Sequence, residues 1–174
     1  MSVKTRKLTL SALFSALAVI MLYVASVWPT GQFGLAAVAS LFVAAAVVET
    51  GISGGVSVFI ISSFLGMLLL PNRAAPLLFL LFFGFYPVLK SLIERMPGTA
   101  LQWFFKLLVF NTSLTVTWFF FRSFFIQAYE TVPGVLVIYL GGNLLFALFD
   151  YGFTKLVWFY IERISRRGFG GFSK

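Results

Sequence analysis

Six long apolar stretches, separated by short segments rich in Pro, Gly and Asn, dominate the sequence. The first, over 8–27, has about 20 residues, which is the length that an α-helix needs to cross the hydrocarbon core of a bilayer. Turn-forming segments such as Met96-Pro97-Gly98 separate the stretches, and Pro87 predicts a bend within the fourth. The sequence predicts an all-α integral membrane protein, a bundle of six transmembrane helices at about 8–27, 33–49, 55–70, 76–93, 101–121 and 134–161.

The overall composition supports a membrane protein and narrows its chemistry. Hydrophobic residues make up 60% of the chain and charged residues 10%, against about 25% charged residues in an ordinary soluble domain. We expect a single membrane domain over 1–174 that ends in a basic cytoplasmic tail at 163–174. Cys and His are both absent, which removes thiolate chemistry and the commonest general base and metal ligand. We therefore expect no enzyme activity, no cofactor, no metal site and no binding of nucleic acid.

The distribution of Lys and Arg predicts the orientation of the helices. If the N-terminus lies inside, the outer loops carry only Arg73 and Arg122. An excess of Lys and Arg marks cytoplasmic loops, so both termini are predicted on the cytoplasmic side. The inner loops and tails then carry nine basic residues: Lys4, Arg6, Lys7, Lys90, Arg95, Arg163, Arg166, Arg167 and Lys174.

Small residues four positions apart mark the first predicted helix. Ser11 with Ser15, and Ala12 with Ala16, form two overlapping pairs of this kind. In lipid, such pairs allow two helix backbones to approach closely. The partner is either another helix of the same chain or a second protein. The second stretch is also dense in small residues, which predicts a closely surrounded packing helix.

Polar residues follow one face of the fifth predicted helix. Asn111, Thr115, Trp118 and Arg122 occur at i, i+4, i+7 and i+11, which places them on one side of the helix. Polar groups at membrane depth need partners or a wet cavity. The face is therefore either one wall of a ligand pocket or an interhelical hydrogen bond beneath an interfacial anchor. Candidate residues to complete a substrate pocket are Trp28, Thr30, Gln32, Asn72, Arg73, Tyr129, Glu130, Tyr139 and Asn143.

Charged residues within the apolar stretches form a second group of candidates. Glu49, Lys90, Lys106 and Asp150 lie near the predicted inner side, and Asp150 is the deepest. A carboxylate at membrane depth requires a cation, for which Lys106 is the first candidate and Lys155 the second. Asp150 is either half of an ion pair that joins the fifth and sixth helices or the proton-binding group of a carrier.

The N-terminal sequence resembles a known family. Lys4-Thr5-Arg6-Lys7-Leu8 followed by Ala12-Leu13-Phe14-Ser15-Ala16 is similar to the opening of the S components of energy-coupling factor (ECF) transporters. These are six-helix membrane subunits of prokaryotes that capture a small, vitamin-like solute from outside. The resemblance implies that Ala12 and Ala16, with Ser11 and Ser15, lie on the face that docks onto a transmembrane coupling subunit, which connects to ATPase subunits. It also implies a solute site near the outer side, beneath the loops.

Two further functions remain open from the sequence. A non-transporting membrane scaffold, similar to the rod-shape protein MreD, has the same length and number of spans. A self-contained secondary carrier would use Asp150. No residue pattern names the transported solute.

Overall fold

The computed structural model describes residues 3–125 and 132–163, of which the side chains at 3, 29, 120–125 and 132–135 are not described. Helices account for nearly all of this part of the chain, and it contains no strand. A 3₁₀ turn at Pro29–Gly31 and a π-helical segment at Phe79–Phe83 interrupt the α-helices. The α-helices are α1 (Val3–Val27), α2 (Gln32–Thr50), α3 (Ile52–Leu69), α4 (Ala74–Leu78), α5 (Tyr86–Ile93), α6 (Thr99–Phe125) and α7 (Val132–Tyr160).

Most of these helices match the dimensions of a bilayer. In the described part of the chain, five are long and apolar enough to cross one: Lys4–Val27, Gln32–Thr50, Ile52–Leu69, Ala74–Ile93 and Leu136–Arg163. Helix α6 has 27 residues, but Gln102, Lys106 and Asn111 interrupt its apolar sequence. The prediction of an all-α membrane protein is confirmed. The count of six spans and the position of the termini stay predictions.

The helix is interrupted at 84–85, just before Pro87, within the span Ala74–Ile93, and the bend predicted there stays a prediction. Proline has no N–H, so it cannot continue the helical hydrogen bonds of the preceding turn. The backbone compensates with a wider turn, in which the N–H of Gly84 donates to the carbonyl of Phe79 at 2.7 Å. Helix α5 then begins at Tyr86, which leaves Pro87 in its first turn, where a missing N–H costs little.

The chain forms two compact units, Met1–Leu92 with Lys155–Lys174, and Ile93–Thr154. In the first unit, α2 contacts α1, α3, α4 and the π-helical segment. Ala36, Ala39 and Ala46 are fully buried in this core, since small side chains allow neighbouring helices to approach closely. The prediction of a closely surrounded second helix is confirmed. The predicted single domain stays a prediction.

The second unit consists mainly of α6 and the part of α7 that ends at Thr154. The contacts between them pair residue 106 with 150, 111 with 143 and 115 with 139. Residue numbers that rise on one helix while they fall on the other define an antiparallel helix pair. This pair carries the polar face of the fifth predicted helix and the candidate ion pair.

Candidate functional site

A buried ion pair joins α6 to α7. Lys106 Nζ donates to Asp150 Oδ2 at 2.9 Å and to Glu94 Oε1 at 2.8 Å. Lys106 is 6% exposed and Asp150 3% exposed. The ammonium group of Lys106 also lies 5.6 Å from the centre of the Trp103 ring, a favourable position for a cation. The ion pair predicted between Lys106 and Asp150 is confirmed.

Glu94 is a member of this cluster that the sequence analysis missed. It lies just after α5, and a carboxylate near a helix end looks like an ordinary solvated residue in the sequence. The only available signal was one acidic residue twelve positions before Lys106, with the turn-forming segment Met96-Pro97-Gly98 between them that could fold it back onto α6. Gln102 fixes that turn, because its amide donates to the carbonyl of Met96 at 2.9 Å.

Aromatic stacking forms the next contact between α6 and α7. The rings of Phe110 and Phe146 are stacked, with centroids 4.6 Å apart and planes 11° apart. Gly142 lies beside them, and a Cβ atom there would come within 3.3 Å of the Leu114 side chain. The absence of a side chain at Gly142 therefore allows the two helices to approach closely at this level.

Two asparagines form a reciprocal pair one turn further along. Asn111 Nδ2 donates to Asn143 Oδ1 at 3.0 Å, and Asn143 Nδ2 donates to Asn111 Oδ1 at 3.1 Å. Each amide also donates to a carbonyl of its own helix, Asn111 to Leu107 and Asn143 to Tyr139. Both amide groups have therefore used both of their N–H donors, and only acceptor capacity remains.

Thr115 and Tyr139 form the last contact of the series, with their hydroxyl oxygens 2.7 Å apart. Thr115 Oγ1 also donates to the carbonyl of Asn111 at 2.8 Å. A hydroxyl has a single hydrogen, so Tyr139 must be the donor to Thr115. We refer to the four contacts 106–150, 110–146, 111–143 and 115–139 as the α6–α7 ladder. It contains the interhelical hydrogen bond that the sequence left as one of two alternatives.

An open groove runs along α6 beside the ladder. Its volume is about 410 Å³ and its lining mixes apolar and polar side chains. Asn111 and Thr115 contribute their remaining acceptor positions, and the exposed hydroxyl of Thr112 adds one donor. We call it the α6 groove; it is lined by Phe104, Leu107, Leu108, Asn111, Thr112 and Thr115.

The structure brings together four of the thirteen predicted pocket residues: Asn111, Thr115, Tyr139 and Asn143. Trp118 is half-buried on the same helix. Arg122 lies in α6, but its side chain is outside the described part of the structure, as are Tyr129 and Glu130 altogether. A substrate-binding role for these residues stays a prediction.

The remaining predicted pocket residues belong to the first unit. Trp28, Thr30 and Arg73 are exposed and Gln32 is half-buried. Asn72 Oδ1 accepts a hydrogen bond from the N–H of Ala74 at 2.9 Å. This contact satisfies a free N–H at the start of α4, so Asn72 has a local structural role whether or not it contacts a solute.

The two small-residue pairs of α1 lie in different environments. Ser11 and Ser15 are buried, and Ser15 Oγ donates to the carbonyl of Ser11 at 2.8 Å. Ser62 of α3 donates to the carbonyl of Ser15 at 3.4 Å, so this face packs inside the first unit. Ala12 and Ala16 are exposed. The serine pair thus supports helix packing within the chain, and the alanine pair is accessible to another molecule.

The chain was compared with protein families, curated proteins and solved structures. No family model, no curated protein and no solved structure matches the chain. Within residues 3–125 and 132–163, no group of three acidic, His or Cys side chains is placed to hold a metal ion. The fold and the site together define a helical membrane protein.

The reciprocal asparagine pair leads to a testable prediction about the α6–α7 ladder. Asn111→Leu leaves the Asn143 amide without its partner and should destabilise the protein by about 1 kcal/mol. The double variant Asn111→Leu/Asn143→Leu should lose less than the sum of the two single variants, because neither amide is then left alone. Unfolding titrations in detergent of the four proteins of this cycle measure the coupling. Strictly additive losses would show that the pair contributes no coupling energy.

Proposed function

We propose that the protein is the substrate-binding membrane subunit of an ECF-type importer. In this proposal six helices span a prokaryotic cell membrane with both termini in the cytoplasm. The subunit captures a small, vitamin-like solute from outside and docks onto a coupling subunit with ATPases. It performs no chemistry on the solute itself. The observation that carries the proposal is the exposure of Ala12 and Ala16 on α1.

The surroundings of this pair favour a docking surface over plain contact with lipid. Leu13 and Ile20 on the same side of α1 are more than half exposed. Because alanine is much smaller than leucine and isoleucine, we expect the two alanines to leave a shallow depression between these bulky side chains. A helix of another protein can enter such a depression, so that the two helix backbones approach closely. Lipid chains have no helix backbone and cannot make this contact. Ser11 and Ser15 lie about 100° further round the helix, on a face of α1 that packs inside the first unit.

The α6 groove supports the solute-binding half of the proposal. Asn111 and Thr115 offer it oxygen acceptors, while Phe104, Leu107 and Leu108 offer apolar contact area. Small-molecule sites typically combine a mostly apolar wall with a few fixed polar groups. Because no charged side chain lines this groove, the part of the solute that contacts α6 would be uncharged and would present N–H or O–H donors.

The contacts of Asp150 weigh against a self-contained carrier. A carboxylate that takes up and releases protons must change partners during transport, whereas Asp150 is buried in direct contact with Lys106. Within the proposal, Asp150 therefore joins α6 to α7 rather than moving protons.

Purification from native membranes in a mild detergent tests the proposed function. We expect ATPase subunits and a coupling subunit to copurify, together with a small molecule that mass spectrometry identifies. Thr112→Val, which removes the hydroxyl of an exposed residue that lines the α6 groove, is a second solute test, because this substitution should lower the amount of bound small molecule and leave the ATPase subunits in place. Recovery of cell-wall or division proteins alone would contradict the proposal and favour the scaffold.

A further inference from the structure

A second cavity lies in the first unit, between α2 and the last turns of α7. Its volume is about 180 Å³. The Tyr160 hydroxyl is the one polar side-chain group among its lining residues, and every other lining side chain is hydrocarbon. We call it the α2–α7 cleft; it is lined by Leu41, Ala44, Ala45, Leu156, Val157, Phe159 and Tyr160. The proposed importer function makes no use of it.

A carboxylate lies at one end of this cleft. Glu49 is one helical turn beyond Ala45 on α2, and Tyr160 Oη donates to Glu49 Oε1 at 3.4 Å. Glu49 is half-buried, and it has no Lys or Arg partner in the parts of the chain that the structure describes. A partly buried carboxylate that lacks a cation attracts one from its surroundings.

A guanidinium lies beside the α2–α7 cleft. Arg163 follows Tyr160 by three residues, and its guanidinium carbon is 5.8 Å from the centre of the Phe159 ring, which lines the cleft. Among residues 3–125 and 132–163, Arg163 has no carboxylate partner. Glu49 lies one residue before the end of α2 (Gln32–Thr50), and Arg163 follows Tyr160, the last residue of α7, by three positions. Charged side chains at the ends of apolar helices typically lie at the level of the lipid headgroups.

We propose that the α2–α7 cleft binds a zwitterionic phospholipid whose headgroup carries a primary ammonium. One acyl chain fills the hydrocarbon-lined cleft, which lies between two membrane-spanning segments and so faces lipid. The phosphate pairs with Arg163, and the ammonium donates to Glu49. The Tyr160 hydroxyl marks the boundary between the apolar and charged parts of the site.

The charge pattern distinguishes among common membrane lipids. Phosphatidylethanolamine supplies both the phosphate and three N–H donors. Phosphatidylcholine has a cation without N–H groups, so it cannot donate to Glu49. Phosphatidylglycerol has no cation and places a net negative charge beside Glu49. Retention should follow the order phosphatidylethanolamine, phosphatidylcholine, phosphatidylglycerol.

Native mass spectrometry tests this order after reconstitution of the full chain into vesicles with equal amounts of the three lipids. Glu49→Gln should lower the excess of retained phosphatidylethanolamine over phosphatidylcholine by about tenfold, the size expected for loss of a charge-assisted hydrogen bond. Arg163→Gln should lower retention of all three lipids. Glu162→Gln, which alters an exposed carboxylate beside Arg163, is the matched control and should change nothing.

Filling the cleft provides a second comparison. Val157→Trp places bulk inside it and should lower retention of every lipid, whereas Val38→Trp adds the same bulk on an exposed part of α2 and should not. Crosslinking of wild-type protein with phosphatidylethanolamine that carries a photoreactive acyl chain needs no variant. It should label 41–45 and 156–160. Equal retention of the three lipids by the wild type, an unchanged preference in Glu49→Gln, or labelling spread over all spans would each overturn the proposal.

Discussion

Replacement of Lys106 with methionine is expected to lower the free energy of unfolding by about 3 kcal/mol, because breaking a buried ion pair leaves its partner charged and without compensation. Lys106 is the cation that Asp150 and Glu94 share, at 2.9 and 2.8 Å. Methionine has a similar length and an apolar side chain, so the loss reflects charge more than packing. Unfolding titration in detergent, followed by circular dichroism, measures the effect.

Substitutions of the two residues of this ion pair should not destabilise the protein equally. Asp150→Asn should destabilise the protein less than Lys106→Met, because Lys106 keeps its contact with Glu94. Lys7→Met removes an exposed lysine from α1 and serves as the control, with an expected change close to zero. If Lys106→Met resembled Lys7→Met, the ion pair would contribute nothing to the stability of the α6–α7 pair.

The comparison of Asp150→Asn with Lys106→Met also separates structure from transport. A carrier that uses Asp150 would lose solute movement in Asp150→Asn while it kept its stability. If Asp150 instead forms a structural ion pair, Asp150→Asn should lower the free energy of unfolding. Measurement of both properties on the same preparations therefore tests the role assigned to Asp150.

The sequence alone predicted the helices well because membrane spans have a strong one-dimensional signal. An apolar stretch of bilayer length must satisfy its backbone hydrogen bonds internally, and the helix does so. The largest change at an end is in α1, which begins at Val3 rather than at 8, since the polar residues Lys4–Lys7 continue the helix beyond the apolar stretch. Hydropathy marks where a helix becomes apolar, which is not where it begins.

The contacts between distant segments were only partly accessible from the sequence. Lys106 and Asp150 were paired correctly because a charge at membrane depth requires an opposite charge, and few were available. The Asn111–Asn143 contact was one of two open alternatives, since a polar helix face fits both a pocket and an interhelical hydrogen bond. The contact of Glu94 with Lys106 and the formation of the α2–α7 cleft both depend on how distant chain segments pack against each other. No local pattern encodes that.

Substitutions in α1 are expected to have the largest functional effect. Ala12 and Ala16 are exposed there, whereas the neighbouring Ser11 and Ser15 are buried. Ala12→Leu/Ala16→Leu should abolish copurification of the ATPase subunits and lower uptake of the copurifying solute by at least about tenfold, because leucine fills the depression that a partner helix would enter. The amount of solute bound per protein should not change. Both measurements use protein from the same native membranes.

Ser15→Leu is the matched comparison, since it makes the same kind of enlargement one residue away from Ala16. Ser15 is buried and accepts a hydrogen bond from Ser62 at its carbonyl, so leucine there overpacks the contact between α1 and α3. We expect a loss of about 2 kcal/mol in unfolding free energy. The alanine variants should unfold like the wild type.

These two sets of variants distinguish a docking surface from a packing surface. If leucine at 12 and 16 destabilised the isolated protein as much as leucine at 15, all faces of α1 would be needed for packing, and the exposed alanines would not be a docking site. If the alanine variants were stable and still recovered ATPase subunits, the docking face would lie elsewhere. Loss of the partner with unchanged stability and solute binding is the one combination that assigns Ala12 and Ala16 to contact between proteins.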